Sequence, residues 1–156
     1  MGDWGPDGWV VHPGEGLTVD TGGPHRPEIL VRGHEVSHAL GAFVFTDGVI
    51  EENPPHAHLG FMKIIYVLDG EYRFRVGDSE FSGGPGAVVV VPQGSHHAFT
   101  TSTGGRALFV CSPSGNEELF VEIGQLGRTL TPEQLVDLNA RYQTVSLPGD
   151  AGGPWR

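Results

Sequence analysis

The sequence predicts an all-β domain, either a closed barrel or a double-sheet jelly roll, and three observations carry that prediction. About eight short β-type apolar segments follow one another at short spacing. Gly (25 residues) and Pro (12) are numerous and are spread between those segments, as turns between strands require. A chain of 156 residues makes one domain, large enough to bury most of its apolar surface without staples.

The elements follow in order. Residues 1–27 read as an N-terminal arm with one short strand, because Trp4, Trp9, Val10 and Val11 are scattered among Gly and Pro. Residues 28–128 then hold the barrel. Strands are expected at Glu28–Arg32 and at His38–Thr46, the latter with Phe43 and Phe45 on one face and Leu40 and Val44 on the other. Phe61–Leu68 and Glu71–Val76 flank Asp69-Gly70, a hairpin turn signal. Ala87–Val91 is a continuous aliphatic run, as expected of a strand buried on both faces, and Pro92 ends it. Ala98–Thr101, Arg106–Ser112 and Leu119–Ile123 add three more strands. In the segment 129–147, Thr131 is an N-cap, Pro132 the first helical residue and Gln134 the reciprocal cap, with Leu135, Leu138 and Tyr142 on one stripe. This helix is expected to pack across the outside of the barrel. Residues 148–156 read as a flexible tail with Trp155 its bulky apolar group.

Composition excludes several classes of function. A formal charge of −10 argues against nucleic acid and against anionic membrane surfaces, which are themselves negative. No apolar run is long enough to span a bilayer, and MGDWGPDGWV lacks the basic start and apolar core of a signal peptide. Cys111 is the one cysteine, so no internal disulfide forms and a cytoplasmic location is expected. Neither a nucleophile elbow nor a phosphate-cradling glycine loop is present.

The chemistry concentrates in two segments, PPHAHLGFMKIIYVLDG (54–70) and GAVVVVPQGSHHAFT (86–100). His56 and His58, two apart on an extended chain, point to one face, and His97 from a later strand completes a facial set of neutral nitrogen ligands. Such a set suits a divalent transition metal: Fe, Ni, Cu, Mn or Zn. His96 points away from His97, and His12, His25, His34 and His38 fall in turns or strand starts and are expected to be structural or exposed. Glu51 and Glu52 are expected in a solvated loop. Alternation places Phe43, Phe45, Ile65, Phe99 and Phe109 around an apolar substrate pocket suited to a small aromatic or polyketide-like molecule. Tyr66 and Tyr72 are expected to carry their rings on the outer face of the sheet.

These two segments resemble the paired motifs of the cupin superfamily, and the chain is similar to its single-domain, quercetin dioxygenase-like group. In the first motif His56, His58 and Gly70 fall in register, seven residues rather than five separate Gly48 from His56, and Lys63 stands at the Glu position. In the second, Gly86, Pro92, Gly94 and His97 match and Thr101 replaces Asn. The resemblance runs from about Pro13 to Tyr142. It implies a double-stranded β-helix, a metal on His56, His58 and His97, and an oxygenase acting on an enolisable or phenolic small molecule. It also implies a homodimer formed through the N-terminal strands, with Trp4 and Trp9 over a partner's sheet edge. Redox-neutral chemistry (cyclase, isomerase, lyase or decarboxylase) and non-catalytic ligand or metal binding are the alternatives. Lys63 decides the charge of the centre. Directed inward it is a catalytic cation or base beside three neutral imidazoles; directed outward it is inert; in the metal's own place it would replace the ion.

Overall fold

Period-two alternation of buried and exposed residues builds two antiparallel sheets with the core between them. The computed structural model describes residues 7–51, 54–127 and 129–146. Its strands are β1 (Leu17–Thr18), β2 (His25–Val31), β3 (Gly41–Asp47), β4 (His56–His58), β5 (Met62–Gly70), β6 (Tyr72–Val76), β7 (Ser79–Gly83), β8 (Val88–Val91), β9 (His97–Thr100), β10 (Gly105–Ser112) and β11 (Thr144–Ser146). Two helices, α1 (Asn116–Leu126) and α2 (Pro132–Arg141), lie between β10 and β11. One sheet runs β1-β2-β3-β10-β5-β8 and the other β11-β4-β9-β6-β7. Rings from both meet in the middle, with Phe99 of β9 5.9 Å from Phe109 of β10. This is the all-β double-sheet jelly roll that the sequence predicts.

Several elements differ from the sequence expectation, each for a physical reason. Asp69-Gly70 does not join a paired hairpin: β5 pairs with β8 and β10, whereas β6 pairs with β7 and β9. The turn is where the chain crosses from one sheet to the other. Gly70 has φ +81°, and a Cβ there would lie 2.2 Å from the Gly104 carbonyl oxygen, so this crossing admits only glycine. The aliphatic run at β8 is not buried on both faces. It is an edge strand, with Val89 and Val91 in the core and Val88 and Val90 exposed.

Leu119–Ile123 is helical rather than extended, lying inside α1. A five-residue apolar run fits either element by itself. What decides is its context: Glu117 and Glu118 occupy the first turn, where acidic side chains favour the helix dipole, and Gly127 caps the end with φ +59°. The buried Glu117 carboxylate accepts from the backbone N–H of Gly33 (3.1 Å) and of Gly115 (2.8 Å), tying the helix start to the turn before β3. Leu119, Phe120 and Ile123 then face the barrel interior as part of the core.

Other expectations agree. The arm contains the short strand β1, paired with β2. Helix α2 begins with the Thr131–Gln134 capping box and Pro132. Its Leu138 is buried, and Tyr142 packs against the core. Among the described residues no helix is long and apolar enough to cross a membrane. The expectations for Trp4, Glu52, Trp155 and the segment 148–156 lie outside the described residues.

Candidate metal centre

Three local devices bring the histidines together. The β4 alternation turns His56 and His58 to one side, the antiparallel register sets His56 directly opposite His97 of β9, and the tight turn Pro92–Ser95 starts β9. That turn requires Gly94 at φ +79°. All three imidazoles are buried, and each offers a ring nitrogen within 4.8 Å of the other two.

The tautomers follow from the partners of Nδ1. His56 Nδ1 lies 3.2 Å from the Pro54 carbonyl and His97 Nδ1 lies 3.0 Å from the Ser95 carbonyl. A carbonyl oxygen only accepts, so both Nδ1 atoms carry the proton and both Nε2 atoms present a lone pair. His58 Nδ1 is 2.8 Å from the Thr144 hydroxyl on β11. The strand that follows α2 thus supplies the outer partner of a candidate ligand 86 positions earlier.

Lys63 is directed inward, as β5 alternation dictates: Lys63, Ile65 and Val67 are buried while Met62, Ile64 and Tyr66 face out. Its Nζ lies 2.9 Å from His58 Nε2 and 3.5 Å from His97 Nε2, and 5.4 Å from the centre of the Phe109 ring. The outward position is therefore not the one adopted. Among the described residues no carboxylate neutralises this amine, and burial lowers its pKa to about 8. The imidazoles respond in the same direction: burial first and Lys63 second push His56 down to about 3 and push His58 and His97 far below the usual imidazole range. At neutral pH the cluster is three neutral imidazoles around one amine.

This donor set fits a divalent transition metal. Three converging neutral nitrogens, each with Nδ1 held by an outer oxygen, are what such an ion requires. Lys63 uses the same His58 lone pair that the ion would use, so the ion and a protonated Lys63 compete for it.

The cluster opens on a small cavity of about 20 Å³. His25, Phe45, Phe99, Phe109 and Phe120 line it with Asn116, Leu119 and Thr144. Of the aromatic and aliphatic residues expected at the pocket, Phe45, Phe99 and Phe109 are there, whereas Phe43 and Ile65 are fully buried in the core. Helix α1 contributes Asn116, Leu119 and Phe120 to the wall, so the segment read as a strand encloses the site.

One expectation holds in an unforeseen place and one fails. His25 is structural rather than exposed: it is 2% accessible, lines the cavity, and has Nδ1 2.8 Å from Asp47 Oδ1. Tyr72 does not face outward; it is buried and donates to Asp47 Oδ2 at 2.8 Å. Both depend on long-range pairing that no local pattern encodes. The direct opposition of His25 and Asp47 in the β2–β3 ladder is the signal that a correct strand pairing would have given. His38, by contrast, is exposed and near Ser114, Glu51 is exposed, and His96 is half-buried outside the cluster.

Comparison with known proteins agrees with this architecture. Residues 43–113 match the sequence model of the cupin domain. No curated protein matches the chain. An RmlC-like cupin from Shewanella frigidimarina is 22% identical, with a TM-score of 0.62 over 72% of this chain and 96% of its own. The DMSP lyase DddQ from Ruegeria pomeroyi is 27% identical with a TM-score of 0.51, over 57% of this chain and 47% of its own. Pac13 from Streptomyces, a nucleoside dehydratase, is 11% identical with a TM-score of 0.58 over 72% of this chain and 88% of its own. Residues 43–113, which hold the paired motifs, thus match the cupin-domain model, within a two-sheet barrel whose fold these solved structures share.

Proposed function

We propose that this protein is a metal-dependent enzyme acting on a small enolisable or phenolic molecule. His56, His58 and His97 hold a divalent transition ion, and Lys63 is the catalytic cation beside it. One observation carries the reading: a buried amine with no carboxylate partner among the described residues stands within 3.5 Å of two imidazole nitrogens. A centre of this charge favours a substrate that binds as an anion. The ion supplies Lewis acidity to a chelating oxygen. Lys63 then stabilises the negative charge that develops as the substrate loses a proton, and the phenylalanine wall with α1 keeps water from that charge.

Redox-neutral chemistry, such as an isomerisation, elimination or cyclisation, is the preferred reaction type. The groups that line the cavity, the Lys63 amine and the imidazoles of His25, His56 and His58, move protons. DddQ, a DMSP lyase, and Pac13, a nucleoside dehydratase, lend this reading support by analogy. Dioxygenation of the quercetinase type is the second reading, favoured by a ligand set of three imidazoles that leaves positions open for substrate and dioxygen.

Elemental analysis of protein purified without added metal tests the centre. About one equivalent of transition metal per chain is expected, and less than about a tenth, unchanged after reconstitution, sinks the reading. Oxygen uptake with flavonols, β-diketones and thiols then separates the two reaction types. Consumption stoichiometric with substrate would overturn the redox-neutral assignment.

A further inference from the structure

A second buried polar group shares the cavity with the histidine centre. His25 of β2 faces Asp47 across the β2–β3 ladder, with Nδ1 2.8 Å from Oδ1, and Tyr72 of β6 donates to Oδ2 at 2.8 Å. His25 and Asp47 are 2% and 6% accessible and Tyr72 1%. The site is built for this contact. Residue 105 opposes Asp47 in the β3–β10 ladder, and a Cβ there would lie 2.7 Å from the Tyr72 ring and 2.9 Å from its hydroxyl, so glycine at 105 lets the tyrosine reach the carboxylate. The imidazole stacks on Phe45 (4.7 Å) and meets Phe99 edge-on (5.5 Å), two residues of the cavity wall, which fixes its plane.

We propose that His25, held by Asp47 and Tyr72, is the general base that takes the substrate's proton; this rests on the function proposed above. The Asp47 carboxylate accepts from Nδ1–H, which sets the tautomer and leaves Nε2 as the nitrogen whose proton exchanges. In the step the substrate's acidic C–H or O–H bond breaks and an N–H bond forms at Nε2. The electron pair remains on the substrate as an enolate or phenolate, facing the cationic side of the cavity where Lys63 stands. The imidazolium that forms is balanced by Asp47, whose charge is held in place by the Tyr72 hydroxyl. The cavity thus has a base on one strand pair and an anion-stabilising cation on another, and no oxidant or external reductant is needed.

The probe is acetylacetone, a neutral β-diketone, titrated calorimetrically into metal-loaded protein at pH 7 in phosphate and in Tris, which reports protons released to solvent. The wild type retains the proton and releases close to none. His25→Gln and Asp47→Asn each release about one proton per site, and Tyr72→Phe lies nearer the wild type. Equal release from wild type and His25→Gln overturns the assignment. A second measurement needs no variant. In wild-type protein labelled with ¹⁵N-histidine, acetylacetone converts the His25 ring from the Nδ1–H form to the doubly protonated form, and a ring that stays neutral overturns the proposal. If acetylacetone does not bind the metal-loaded protein at millimolar concentration, the substrate class falls and the base falls with it. Binding with unchanged release removes the base alone.

Discussion

Two buried clusters contain histidine in the same cavity, and they are built on opposite principles. Around His56, His58 and His97 the Nδ1 partners are neutral oxygens: two carbonyls and a hydroxyl. Around His25 the Nδ1 partner is a carboxylate. The first arrangement keeps imidazole neutral and aims a lone pair at the centre, which suits a metal ion. The second compensates a positive charge on the ring, which suits a proton. Identical side chains therefore do different work because the acceptors behind them differ in charge.

The largest effect that could break this comparison is acid. A neutral imidazole whose folded pKa is depressed binds its proton in the unfolded chain first, so stability is full above about pH 6.5 and falls as pH drops toward the folded value. With His56 lowered to about 3, that residue alone removes about 2 kcal/mol between pH 6.5 and 4.5. His58 and His97 are shifted in the same direction and add to the loss. Urea unfolding of metal-free protein at the two pH values measures it. An unchanged midpoint would mean that the three rings are not held neutral.

Next in size is the charge behind His25. Asp47→Ala leaves a buried imidazole N–H and the Tyr72 hydroxyl without their acceptor, at a cost of about 3–5 kcal/mol, or a fall in Tm of about 10 °C by calorimetry. Metal content is expected to stay at the wild-type level, because Asp47 bonds to none of the three ligands. A variant that also lost its metal would merge the two clusters into one.

How far these clusters could be read from the sequence depends on how local their geometry is. His56, His58 and the inward Lys63 follow from period two within single strands, and Thr131–Gln134 marks α2 through one turn of helix. The third histidine was legible because the second motif, by its resemblance, places His97 just after the Pro92–Gly94 turn. His25 and Thr144 were not. One acquires its role by pairing with β3, and the other by a contact from β11 to a histidine 86 positions away. Helix α1 and the edge strand β8 were misread for the same kind of reason. A short apolar run states that some face is buried and leaves open which element buries it.

Lys63 sharpens the comparison by its removal. Lys63→Met takes an uncompensated amine out of the core and frees the His58 lone pair. Metal-free stability is expected to rise by about 1 kcal/mol, and metal affinity by about a hundredfold as the competing cation leaves. Lys63→Glu tightens binding further by adding an anionic ligand. Competition against a chromogenic chelator reads both. Affinity that falls in Lys63→Met would make Lys63 itself a ligand through its neutral amine, and the centre would then hold four nitrogens.

The smallest effect tests whether the neutral partners behind the ligands matter individually. Thr144→Val removes the oxygen 2.8 Å from His58 Nδ1 while keeping the side-chain shape. The buried N–H that results costs about 1 kcal/mol, and metal affinity falls about tenfold because the ring loses its fixed orientation. The parallel change in the other cluster is Tyr72→Phe, which also deletes one hydroxyl but leaves Asp47 bound to His25. Since the carboxylate alone sets that tautomer, Tyr72→Phe should leave the His25 ring as the Nδ1–H form in ¹⁵N spectra, whereas Thr144→Val should let His58 sample both tautomers. Equal tautomer mixing in the two variants would show that acceptor charge is not what distinguishes the clusters.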